Sequence, residues 1–489
     1  MGMNKILGAL TGKGLLQNSL WGMLSNILQN FFLGLFFIIV ARSYSVGDFA
    51  DYLVANTMYQ LIASFSTMGL GQWFTREIIN SEDKRGIVNR FLKLQLYFGV
   101  AFYLVNCVAA YTMYDDPMIR KLAVYVGINI LFDNFIYALR SLNIAERNQQ
   151  KSFMVLLIES SLKLLLGTIL VFQSFSIVAL SVLSVVLRVV TLNLFIRISS
   201  SSLLTLRGIL RYRISFDDIR QIVFKNWAFV VIGSISVIYW RVGSIIISKM
   251  LTDLDIANYE IGYKLFSIAQ IIPVIFSATV FPKFVSMAGT DDRKGLTDFF
   301  RFTFIGYFLF GLLSCTFVYS FSDLLVPFAF GEKFAASGPY VREMFFTMLV
   351  FPTALLQANL LVAIKLEKFD MLFNVLSLVV YLGLCLTILS GVRSLSVVNY
   401  SILASFFFFH LLQDIALYRK GMLSVQHIVL YYLALAGIVL IYYWLCQVTN
   451  APLAFVLFWG GVALLAVIAL ARNGLSMHEL RNRLSTFNK

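Results

Sequence analysis

Apolar runs of about twenty residues recur along the whole chain, separated by short polar stretches. About 20 residues at a helical rise of about 1.5 Å cross the hydrocarbon of a bilayer once. On that measure the pattern predicts spans near 15–41, 50–75, 91–113, 121–143, 153–173, 176–197, 224–248, 258–281, 299–322, 341–364, 371–391, 395–416, 426–446 and 452–471. None of the runs has the ten-residue alternation of an outer-membrane barrel strand. The expected fold is all-α, a polytopic membrane protein of about 14 transmembrane helices.

Charge tests this layout. Of 39 Lys and Arg residues, 28 fall in the even-numbered gaps and the two tails, 7 on the other face, and four within spans. The positive-inside rule then places both termini in the cytoplasm. The four cations left within spans are Lys163, Arg188, Arg241 and Lys264.

Composition agrees: 59% hydrophobic and 13% charged residues, with a mean hydropathy of +0.82, leave too little charge to cover a soluble surface of 489 residues. Most of the +14 net charge is topology, so a nucleic-acid partner has no support. The widest gap, near 198–223, is basic and reads as an amphipathic linker on the anionic inner leaflet. Residues 1–14 read as a cytoplasmic lead-in, and the outer loops are too short for a catalytic domain.

The chain carries a repeat. Trp21 precedes Asp48-Phe49-Ala50-Asp51-Tyr52 by 27 residues, and Trp227 precedes Asp255-Ile256-Ala257-Asn258-Tyr259 by 28. Arg76 and Lys283 each follow the motif tyrosine by 24 residues. The expected division is an N-terminal six-helix bundle (1–198), a basic linker (199–223), a C-terminal six-helix bundle (224–420) and two additional helices with a tail (421–489). Parallel repeats of this kind place a substrate site near the midplane between the halves.

Polar residues fall at helical spacing in equivalent spans of the two halves. Asn18, Gly22, Ser25, Asn26 and Gln29 share one face, as do Asn56, Tyr59, Gln60 and Thr67. In the second half Ser234, Arg241, Ser244 and Ser248 form a stripe, and Tyr263, Ser267, Gln270 and Ser277 another. Single stripes of this type serve as helix-helix glue; four in equivalent places, with a buried arginine, indicate a hydrated chamber. An arginine at mid-membrane costs roughly 2.5–3.5 kcal/mol on insertion scales. Glu159 with Lys163, and Glu260 with Lys264, have the favourable i, i+4 order for an ion pair. Asp133 is expected to find its partner on a neighbouring helix. That leaves Arg241 and Arg188 as the expected fixed positive charges toward an anionic substrate.

Other strings carry no chemistry. GALTGKG (8–14) is one residue short of a phosphate-binding loop. Asp253-Leu254-Asp255 resembles a metal-binding pair but lies in an external loop. His410, His427 and His478 are solitary in sequence, and Cys107, Cys315, Cys385 and Cys446 lie singly in apolar runs, so no metal, cofactor or catalytic constellation is expected.

The chain resembles the polysaccharide and O-antigen flippases, the lipid-linked oligosaccharide translocases of the multidrug/oligosaccharidyl-lipid/polysaccharide exporter superfamily. The residues that carry the resemblance are LWGMLSNILQNFFLGLFFIIVARSYSVGDFADY, GLGQWFTREI and YWRVGSIIISKMLTDLDIANYEIGYKLFSIAQIIPVIFSATVFPKF. It implies two bundles around a cationic cavity, basic residues at Arg42, Arg76 and Arg241, and helix-eight prolines at Pro273 and Pro282. Many relatives read Arg-x-Asp in the seventh helix where this chain has Arg241-Val242-Gly243. The implied activity is translocation of an undecaprenyl-pyrophosphate-linked oligosaccharide from the cytoplasmic to the periplasmic leaflet, with a proton or sodium ion as coupling ion and glycan polymerase or ligase machinery as partners. Alternatives are a cation-coupled exporter of small drugs and a membrane-embedded glycan polymerase or ligase. Expected site residues are Arg241, Arg188, Arg42, Arg76, Lys264, Lys163, Asn26, Gln29, Asn56, Gln60 and Gln270, with Asp133, Glu159 and Glu260 as charge partners.

Overall fold

A computed structural model describes residues 15–472 except 147, 200, 202, 205, 225 and 290–292. The lead-in 1–14 and His478 lie outside the described residues, as do the side chains of Asn18, Ser25 and Asn26. Helices α1 (Leu15–Ser43), α2 (Val46–Ser66), α3 (Gly71–Asn80), α4 (Lys84–Met113), α5 (Pro117–Gly127), α6 (Asn129–Ala145), α7 (Gln149–Phe172) and α8 (Ile177–Ser199) precede the linker. The linker holds α9 (Leu206–Arg211) and α10 (Phe216–Ile219). After it come α11 (Trp227–Met250), α12 (Asp253–Ala288), α13 (Arg293–Phe330), α14 (Gly338–Phe345), α15 (Phe351–Ala363), α16 (Glu367–Leu389), α17 (Leu395–Arg419), α18 (Val425–Val448) and α19 (Ala451–Arg472).

The protein is an all-α polytopic membrane protein, with no strand among the described residues. Ten of the rods, counting α5 with α6 and the stretch Glu332–Ala363 as one each, are long and apolar enough to cross a membrane. Shorter apolar stretches lie in α1 and α19, and α2 with α3, together with α11, complete the fourteen that the periodicity predicts. The rods differ from simple twenty-residue cylinders. The predicted span 50–75 breaks between α2 and α3, where Met68 and Gly69 take left-handed backbone angles (φ 51° and 57°). The span near 341–364 is assembled from α14, α15 and short 3-10 turns, with Pro339 and Pro352 in first turns, where a missing N–H costs nothing. Helices α12 and α13 reach 36 and 38 residues, well beyond their apolar cores.

The repeated motif is a helix start. The side chain of Ser45 accepts from the Asp48 backbone N–H, and that of Thr252 accepts from Asp255. In each case the capping hydroxyl donates to the aspartate carboxylate, and at the second start that carboxylate also accepts from the Thr252 backbone N–H, which completes a capping box. Ala50 and Ala257, the motif alanines, are fully buried. The string Asp253-Leu254-Asp255 is therefore part of a cap.

The end of the molecule where α1 starts is called here the base, and the opposite end the crown. At the crown one apolar cluster joins the two sides of the linker, uniting Val40, Phe49 and Ala50 with Ile247, Ile256, Phe330 and Phe334. Toward the base the clusters separate: Leu70, Phe74 and Phe91 in one, Ile136, Leu156 and Phe195 in another, Phe284, Phe300 and Leu360 in a third. The helices are thus cemented at the crown and parted at the base. The linker docks under the first group. Ile209 and Ile222 join its base cluster, Arg90 pairs with Asp218 at 2.7 Å, and Lys93 donates to the Leu210 carbonyl at 3.2 Å. Leu210, Phe216 and Phe224 stay exposed, which keeps an apolar face free on an otherwise basic segment.

Candidate functional site

Helices α11 and α12 form a hairpin that turns at Leu251-Thr252. Arg241 lies ten residues before that turn and Glu260 eight after it, so a helical rise of about 1.5 Å per residue puts them at nearly one depth. They form an ion pair at 3.0 Å, and the guanidinium rests 4.5 Å from the centre of the Tyr263 ring. Ser244 donates to the same carboxylate at 2.5 Å, and Thr57, from α2, at 3.1 Å. Glu260 therefore accepts from both sides of the linker. Pairing and hydrogen bonding of this order are what let a charge remain buried.

A second network lies wholly before the linker. Arg188 on α8 reaches Asp133 on α6 at 3.0 Å and Glu159 on α7 at 2.7 Å, and the Tyr59 hydroxyl on α2 donates to Asp133. The expected same-helix pairs are thus replaced. Glu159 pairs with Arg188 instead of Lys163, and Glu260 with Arg241 instead of Lys264. Arg188 and Arg241, read from the sequence as the unpartnered charges, are the neutralised ones.

The lysines are left over. Neither Lys163 nor Lys264 has an ion pair among the described residues. Lys163, from α7, stands 5.3 Å over the ring of Phe36, and Lys264, from α12, stands 5.9 Å over the ring of Phe37. The two ammonium groups therefore approach α1 from opposite sides of the linker. Gly34 of α1 faces Lys264, whose side chain would meet an added methyl group there at an ordinary contact distance of 3.8 Å. Among the described residues the four span cations face three carboxylates, an excess of one positive charge: Arg188 with Asp133 and Glu159 carries one negative charge on the side of Lys163, whereas Arg241 with Glu260 is neutral and leaves Lys264 unbalanced.

The remaining candidates divide. Asn56 is spent on its own helix, donating to the Tyr52 carbonyl at 2.8 Å. Gln29 and Gln60 are half-buried, and the Gln270 amide nitrogen is buried without a partner. Arg76 lies away from the belt in an exposed basin near the base, with Thr75, Tyr137 and Ser141. Arg42 is at the crown. Its guanidinium donates to the carbonyls of Ala329, at 2.8 Å, and Phe328, the last turn of α13. Lys333 answers by donating to the carbonyls of Arg42, at 3.2 Å, and Tyr44, at the end of α1. Each cation caps the negative end of a helix from the other side of the linker. Replacing Arg42 and Lys333 together by Met is expected to loosen the crown. Spin labels at Asp115 and Leu254 should then report longer distances; an unchanged distribution would show that apolar packing alone holds it.

One buried cluster escaped the sequence reading. His410 and Asp414 lie four apart on α17 with their side chains 3.1 Å apart, Gln357 donates to Asp414 at 2.6 Å, and Tyr432 of α18 donates to it at 3.0 Å. The i, i+4 spacing was the available signal. This cluster fastens α18 to the helices before it.

This arrangement of rods is shared with solved membrane transporters. An inward-facing multidrug resistance MATE family transporter of the MOP superfamily is similar over 81% of this chain and 94% of its own, with a TM-score of 0.66 at 12% identity. An outward-facing structure of such a transporter is similar over 83% and 95%, with a TM-score of 0.60 at 12% identity. A MOP superfamily transporter from Pyrococcus furiosus Vc1, described by the reverse polarity of its binding pocket, is similar over 81% and 94%, with a TM-score of 0.58 at 14% identity. No curated protein matches the sequence. The sequence profile of the family described as "Polysaccharide biosynthesis protein" matches residues 15–288, more than half of the chain, and the protein belongs to that family.

Proposed function

We propose that the protein exports an undecaprenyl-pyrophosphate-linked oligosaccharide, taking it up at the base from the cytoplasmic leaflet and releasing it at the crown to the periplasmic one. The observation that carries this reading is the pair of lysines without an ion pair among the described residues, Lys163 and Lys264, on opposite sides of the linker. A pyrophosphate cannot cross hydrocarbon with its charge bare, whereas two ammonium groups at the midplane offer it counter-charge. The polyprenyl chain need not leave the membrane. Residues 1–198 and 224–420 act as two bundles rocking about the crown, with 199–223 as the strap between them and 421–489 as an addition to the second bundle. The cation bias supports cytoplasmic termini, and the proposed lipid-linked substrate implies a bacterial inner membrane.

Export of cationic drugs is disfavoured by the belt itself. Asp133, Glu159 and Glu260 each already pair with an arginine, Asp133 and Glu159 sharing one, which weakens their pull on a further cation. Liposomes containing the purified protein and a fluorescent lipid-linked oligosaccharide test the proposal. The label on the inner leaflet should become accessible to a membrane-impermeant quencher; a protected fraction equal to that of protein-free liposomes rules the function out.

A further inference from the structure

Below the belt, α12 and α13 diverge. Pro273 and Pro282 interrupt the hydrogen-bond ladder of α12, which bends a helix at such points. The Tyr307 hydroxyl, on α13, bonds to the Pro273 carbonyl at 3.2 Å and to Ser277 at 3.0 Å, tying the two helices together above the bend. From there toward the base runs a groove of about 1040 Å³. Its walls are apolar, with Phe276, Phe302 and Ile305 more than half exposed. Lys283 lines its base end and has no ion pair among the described residues. The repeat gives Lys283 the same place in α12 that Arg76 has in α3, and Arg76 also lines a cavity near the base.

We propose that this groove binds the single hydrocarbon chain of a polyprenyl phosphate, with the phosphate on Lys283. An exposed apolar wall in a membrane-spanning region meets hydrocarbon, and an unpaired ammonium at its end meets the anionic headgroup layer. One slot with one cation suits a lipid with one chain per phosphate; a diacyl phospholipid would leave its second chain outside. The groove would hold the carrier's tail while its headgroup enters the midplane belt, so this inference rests on the proposed function for its purpose, though not for its binding chemistry.

The geometry supplies a clean obstruction. A Cβ added at Gly306, in the groove wall, meets nothing within 4 Å, so the side chain of Gly306→Phe starts from open space to obstruct the slot. Gly383→Phe, equally open but on α16, is the control. The probe is a polyprenyl phosphate carrying a photoreactive group on its chain, with the full-length protein in phosphatidylcholine nanodiscs. Cross-links are expected on the α12 and α13 walls. They should be lost in Gly306→Phe and kept in Gly383→Phe, and Lys283→Gln should weaken binding roughly fivefold, as loss of one lysine at a lipid surface implies. Cross-links elsewhere, equal labelling in Gly306→Phe, or competition by phosphatidylglycerol as strong as by unlabelled polyprenyl phosphate overturns the assignment. If the cross-links behave as expected but headgroup translocation is absent, the groove stands and the export function falls.

Discussion

Glu260→Ala is expected to destabilise the protein by about 3–5 kcal/mol, the range for removing one member of a buried ion pair. The change strips Arg241 of its only carboxylate among the described residues and deprives Ser244 and Thr57 of their shared acceptor. Thr57 is on α2 and the others on the α11–α12 hairpin, so the loss falls on the seam between the two sides of the linker. Thermal unfolding in detergent should register it as a large drop in midpoint. Replacing both partners, as Arg241→Met with Glu260→Leu, removes the uncompensated charge and should recover most of the loss. The double variant also separates structure from substrate contact. If Arg241 only holds the seam, the double variant folds and exports; if it touches the substrate, the double variant folds and does not. A Glu260→Ala protein as stable as the parent would mean that the pair carries no net burden.

How much of this was legible beforehand depends on whether a feature is local. Fourteen rods follow from runs of apolar residues, because each crossing satisfies its own backbone. The repeat was legible too, although its chemistry was not: Asp48 and Asp255 are conspicuous as spacing, but their task as capping partners emerges only with Ser45 and Thr252 three residues earlier. Charge pairing failed at a definite point. The i, i+4 rule offers each acid a partner on its own helix, whereas Glu260 and Glu159 both chose arginines across a turn. Depth would have found them. Arg188 and Glu159 lie within about 3 Å of equal height on either side of the turn near 174, as Arg241 and Glu260 do about theirs, and a fork of donors reaches sideways better than an ammonium on a flexible stem. Arg42 was misplaced for a related reason: its partners are main-chain carbonyls of α13, which have no signature in sequence. The joined crown and parted base were likewise beyond reach, since they depend on which apolar surfaces meet across more than two hundred residues.

Lys163→Gln and Lys264→Gln should each slow headgroup translocation roughly tenfold or more, and the double variant roughly 100-fold or more, if each ammonium makes one charged contact worth about 1.5–3 kcal/mol to the pyrophosphate. Lys121→Gln, a cation exposed at the crown, is the control and should export normally. Stability supplies the second reading. A half-buried cation without an ion pair adds little to the fold, so removing these two should leave the unfolding midpoint unchanged or raise it. That combination, a protein at least as stable and much less active, is the signature of charges kept for a ligand. A midpoint that falls with activity would instead make the lysines structural, each needed for its contact with Phe36 or Phe37. The same arithmetic explains why the cations come from opposite sides of the linker. An anion that reaches both ammonium groups draws the elements that carry them toward a common centre. Binding would then favour approach of the two sides below the crown, and Lys163→Gln with Lys264→Gln should abolish that response to pyrophosphate-bearing lipid as well as the transport.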